Sequence, residues 1–77
     1  MVNYTDKIIS DHTIMLGKPV IKGTRITVEF ILKKLGQGAT FNDLILAYPT
    51  LTSDDIYASL IYAADMIANE EVLIPNK

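Results

Sequence analysis

"LTSDDIYASLIYAADMIAN", Leu51–Asn69, decides how this 77-residue chain is built. Thr52 is placed to cap a helix, and Asp54 and Asp55 fall in the first turn, where the helix dipole favours anions. Leu51 precedes the cap and can staple to Ile56. These signals predict a helix from about Ser53 to about Asn69. Ile56, Leu60, Ala63 and Ile67, with Tyr57, Ile61, Ala64 and Ala68, fall on one wide apolar arc, which amphipathicity assigns to the core. Ala58, Tyr62, Met66 and Asn69 form a second stripe on the opposite side, nearly free of charge. It is either a contact surface, most simply across the twofold axis of a homodimer, or an uncharged surface with no partner.

Two shorter helices precede it. Thr40 caps one, with Asp43 at its third position, Phe41, Leu44, Ile45 and Tyr48 on one face, and Pro49 as its stop. Thr27 caps the other, with Val28, Ile31, Leu32 and Leu35 at helical spacing and "GQG" at 36–38 ending it. Phe30 lies opposite that apolar face and either packs under the N-terminal segment or reaches a partner. Residues 1–26 read as short strands and turns. "KIIS" is a weak strand, and "PVI" and "TRI" flank Lys22-Gly23 as the arms of a hairpin. Pro19 suits a strand start. The expected architecture is mainly α: a three-helix, helix-turn-helix-like bundle over 27–70, preceded by a short N-terminal β-hairpin or β-arm. The tail, 71–77, is either loose or covers an apolar edge, and 1–77 forms a single domain.

Composition bounds the function. A lone core is marginal at this length, and no cysteine is present to reinforce it. Yet 49% of residues are hydrophobic, so part of that surface is expected to be buried against another chain. With no leader pattern and no long apolar run, the chain reads as cytoplasmic, without a membrane segment. The net charge of −2 is unevenly spread. Residues 1–34 carry six cations against Asp6, Asp11 and Glu29, whereas residues 35–76 carry six acids and no Lys or Arg. A polyanion would have to meet the N-terminal half.

"GKPVIKGTR", 17–25, invites a ligand reading. It fails as a phosphate loop: position 12 is His where the pattern needs Gly, and position 19 is Pro where it needs Ser or Thr. His12 is the single histidine, without a second imidazole or thiolate to share a metal. No nucleophile–base set or spaced carboxylate pair appears, so neither an enzyme nor a cofactor is expected. Two readings of the stretch stay open. In the first it is scaffold, with glycines for turns and Arg25 forking onto a carboxylate or onto helix carbonyls to lock the hairpin to the bundle. In the second, Lys18, Lys22 and Arg25 contact a partner's acidic surface or a nucleic-acid backbone. The third helix lacks the Arg and Lys that a major-groove helix brings, so DNA binding would have to use this basic hairpin.

The segments "GKPVIKGTRITV" at 17–28, "LGQGATFNDLILAYPTLTSDDI" at 35–56 and "ASLIYAAD" at 58–65 resemble the small bacterial family catalogued as domain of unknown function 433. The resemblance covers nearly the whole chain in order. It implies a helix-turn-helix grouping and an antitoxin-like role: a small protein that neutralises a PIN-like ribonuclease encoded beside it. It makes Gly17, Lys18, Pro19, Gly23, Thr24 and Arg25 signature positions, with Tyr48, Pro49 and Leu51 marking the second turn. It supplies no catalytic residue. "AT" at 39–40 stands where members often carry Met-Ser or Met-Thr. Two functions follow as expectations: a dimeric antitoxin-like binding protein, or a DNA-binding autoregulator.

Overall fold

The computed structural model describes residues 4–69. Three helices follow a small two-stranded antiparallel sheet. Strand β1 is Ile8–Ile9 and β2 is Val20–Ile21, with Ile8 opposite Ile21 and Ile9 opposite Val20. Helix α1 is Val28–Gly36, α2 is Phe41–Ala47 and α3 is Ser53–Asn69. The expectation for the tail, 71–77, lies outside the described residues.

Each helix begins where a side chain satisfies its free N–H groups. Thr27 accepts from the Phe30 N–H at 3.0 Å. Thr40 and Asp43 form a reciprocal capping box at 2.9 and 3.0 Å. Thr52 and Asp55 form a second one at 3.0 and 3.2 Å. The first stop is equally local. Gly38 takes φ +101, its N–H donates to the Leu35 carbonyl and the Ala39 N–H to the Lys34 carbonyl. That pair of bonds is the Schellman arrangement, which needs a left-handed residue after the cap.

Ile8, Ile21, Val28, Ile31, Leu44, Leu51, Ile56 and Ala58 form the core. Leu51 and Ile56, one on each side of the third cap, are both in it, as the staple requires. Burying each large aliphatic side chain contributes about 1.5–3 kcal/mol. Among the described residues no buried side-chain nitrogen or oxygen lacks a partner. Ser59, fully buried, donates to the Asp55 carbonyl at 3.0 Å.

Two expectations need correction. The arms of the expected hairpin meet only at the bridge between Val20 and Thr27, with the Ile21 N–H donating to the Ile26 carbonyl. Thr27 is already the cap of α1, which leaves no length for a second strand, and Ile8–Ile9 supplies the pairing edge. On α3 the expected core arc is only partly inside. Ile56 is buried and Ile61 and Ala63 are half-buried, whereas Tyr57, Leu60, Ala64, Ile67 and Ala68 are exposed. The inward side runs instead through Asp55, Ala58, Ser59 and Tyr62. Small side chains let the neighbouring segments approach the helix closely, and the capping box fixes which way its first turn faces.

Candidate binding surfaces

The signature stretch is divided by its own geometry. Met15 and Leu16 adopt φ +49 and +59, and Gly17 follows at +82. Two successive non-glycine residues in the left-handed region are strained, each by on the order of 1–2 kcal/mol. Leu16, the centre of this turn, is 92% exposed. The strain is not offset by burial of that side chain. Asp11 braces the start of the loop, accepting from the backbone N–H and hydroxyl of Thr13 at 2.9 and 2.7 Å. Those bonds hold its carboxyl below the usual range.

Lys18 then turns to α1, where its Nζ lies 3.0 Å from Glu29; Lys33 approaches the same carboxylate at 4.0 Å. The Lys18 hydrogen bond and the two charges lower the Glu29 pKa. Pro19 accepts the Val28 N–H through its carbonyl at 3.0 Å. Gly23 sits at φ +81 in the turn after β2. Thr24 ties that turn, donating to the Ile21 carbonyl at 2.8 Å and accepting from the Ile26 N–H at 3.0 Å. The Lys22 backbone N–H donates to the Lys7 carbonyl at 2.8 Å.

Arg25 departs from the scaffold reading. It is exposed, and among the described residues it makes no hydrogen bond or ion pair. It lines a concavity with Met15, Ile26, Thr27, Phe30 and Tyr48. Phe30 packs edge to face on Tyr48, centroids 5.5 Å apart, and Lys34 lies 5.4 Å over the Phe30 ring. Phe30 therefore meets the end of α2 and borders an open hollow.

The other side of α1 faces a larger apolar groove, about 540 Å³, between α1 and α3. Val28 and Leu32 form one wall, Tyr62, Ala63, Met66 and Ile67 the other, with Glu29 and Lys33 at the rim. Met66 and Ile67 are 42% and 65% exposed. The four residues expected on one outward stripe separate here. Ala58 is fully buried in the core and Tyr62 packs edge to face on Tyr4, centroids 5.3 Å apart. Only Met66 and Asn69 face outward. Partial burial and the Asp65 carboxylate raise the phenol pKa of Tyr4.

Sequence reasoning missed Lys7 and Met15. The Lys7 Nζ approaches the buried Asp55 carboxylate at 4.0 Å, a contact spanning 48 positions that no local pattern announces. Among the described residues no group of His, Cys, Asp and Glu is arranged to hold a metal, and no helix is long and apolar enough to cross a membrane.

Comparison with known proteins places these surfaces in context. The family model described as "Protein of unknown function (DUF433)" matches residues 8–63. A crystal structure of a DUF433 member protein from Anabaena variabilis superposes with a TM-score of 0.76 at 29% identity. The match covers 80% of this chain and 61% of that one, so this chain spans under two thirds of that protein's length. No functionally curated protein matches.

Proposed function

We propose that this chain, which belongs to the DUF433 family of proteins of unknown function, is a non-enzymatic, antitoxin-like binding protein that self-associates and masks a PIN-like ribonuclease. The observation that carries the reading is the α1/α3 groove. A domain this small leaves Met66 and Ile67 exposed beside Val28, Leu32 and Tyr62, although each such side chain gains about 1.5–3 kcal/mol when fully buried. Its rim holds Glu29 and Lys33, one charge of each sign. A twofold axis would set the acid of one copy against the base of the other, as a self-complementary interface requires. Among the described residues after Lys34, Asp43, Asp54 and Asp65 are exposed with no Lys or Arg beside them, an acidic surface that suits an electropositive RNA-binding groove.

The DNA-binding alternative has less support. Helix α3 carries no Lys or Arg, and of the signature cations Lys18 is already paired with Glu29. Light scattering and pull-down test the proposal. The native chain should be dimeric at ~100 µM, and Met66→Lys with Ile67→Lys should yield a monomer with a lower melting temperature, since the folded state loses its partner. The neighbouring gene product should be retained by the native chain. A native monomer removes the self-association claim, and failure to retain that product at micromolar concentration removes the antitoxin claim. A gel shift on the chain's own promoter that weakens steeply with salt would favour the regulator instead.

A further inference from the structure

Six Lys and Arg residues lie within 4–69, and the three carboxylate contacts among them engage Lys7, Lys18 and Lys33. Lys22, Arg25 and Lys34 are left without an acid among the described residues. Arg25 and Lys34 both border Phe30, on the side of α1 turned away from the Glu29/Lys33 rim. The hollow that Arg25 lines is walled by Met15, Ile26, Phe30 and Tyr48, side chains that offer apolar contact. Its outer edge is the strained Met15–Leu16–Gly17 turn, which holds Met15 against the hollow and Leu16 in solvent. Among the described residues no side chain fills this apolar hollow and no acid meets the guanidinium beside it.

We infer that this hollow is a docking site for a protein segment bearing a carboxylate next to a large aliphatic or aromatic residue. The apolar side chain enters between Met15, Ile26, Phe30 and Tyr48, and the carboxylate takes the fork of Arg25, with Lys34 adding long-range attraction. A guanidinium suits this because its planar donors match a carboxylate in two parallel hydrogen bonds. Nucleic acid fits less well. Lys34 already covers a face of Phe30 that a base would stack on. The inference rests on reading the chain as a binding protein but not on the partner being a ribonuclease, and it names a face separate from the α1/α3 groove.

The test uses the full chain, isotope-labelled for amide NMR, with short peptides as probes. A peptide of Leu and Glu should shift the Met15, Arg25, Ile26 and Phe30 amides in a saturable way. Replacing its Glu by Gln, or Arg25 by Gln, should weaken binding at least about tenfold, the loss of roughly 1.4 kcal/mol of charge-assisted hydrogen bonding. Arg25→Glu should recover affinity for a Leu/Lys peptide, a reversal that a merely structural role of Arg25 would not produce. Equal binding of the Glu and Gln peptides, or shifts confined to Met66 and Ile67, would overturn the site. So would duplex DNA that shifts the Arg25 face more strongly than the acidic peptide, or loss of the dimer in Arg25→Gln. If the Glu peptide binds as expected while the neighbouring gene product is not retained, the docking site stands and the antitoxin reading alone falls.

Discussion

Asp55 offers a sharp test of how α3 is attached. Its carboxylate accepts the Thr52 N–H at 3.0 Å, its own N–H donates to the Thr52 hydroxyl at 3.2 Å, and Lys7 stands 4.0 Å away. Asp55→Asn keeps an acceptor oxygen and removes the charge. The loss is then the favourable dipole interaction, about 0.3–1 kcal/mol, with little added by a long contact to a Lys side chain that is 37% exposed. Asp55→Ala removes the acceptor as well and strands a part-buried N–H, which costs about 1–3 kcal/mol. The expected order is a loss of about 0.5–1 kcal/mol for Asn and about 2–3 kcal/mol for Ala, roughly half of what so small a domain holds. Urea unfolding followed by far-UV circular dichroism near neutral pH measures both. Equal losses would show that charge, not the hydrogen bond, secures the helix start. A coupling of more than about 1 kcal/mol between Lys7→Met and Asp55→Asn would show that the ion pair was undervalued.

Two glycines in one turn should respond in opposite directions. Gly38 sits at φ +101 with open space around its Cα, so Gly38→Ala is strained by backbone alone and should cost about 1 kcal/mol. Gly36 is helical and equally open, so Gly36→Ala should stabilise by up to about 1 kcal/mol; paired melting curves would expose any reversal. Asp11 and Glu29 are both held below the ordinary carboxylate range by hydrogen bonds from Thr13 and Lys18. Folded values below unfolded ones mean that their contribution is present above about pH 4 and lost as pH falls through the folded values. An acid titration of stability should therefore flatten in Lys18→Met and, to a lesser degree, in Thr13→Val, which keeps the Thr13 N–H bond to Asp11; an unchanged slope in Lys18→Met would refute this assignment.

What the amino-acid sequence determined by itself is the set of boundaries. Thr27, Thr40 and Thr52 cap their helices, Gly38 ends the first, and Leu51 meets Ile56 across the third start. These are legible because caps and stops are hydrogen bonds and dihedral preferences among residues three or four apart. Only the tertiary structure decided which way α3 faces. The larger side chains at Tyr57, Leu60 and Ile67 mark the stronger apolar arc, yet Ala58 and Ser59 lie inside, because what matters there is how closely the packed segments can approach. The same holds for the cations. Lys18 and Arg25 stand seven positions apart in one motif, yet one reaches Glu29 and the other reaches no acid among the described residues. Charge pairing depends on distances that the turn after Leu16 sets, and local pattern carries no record of them.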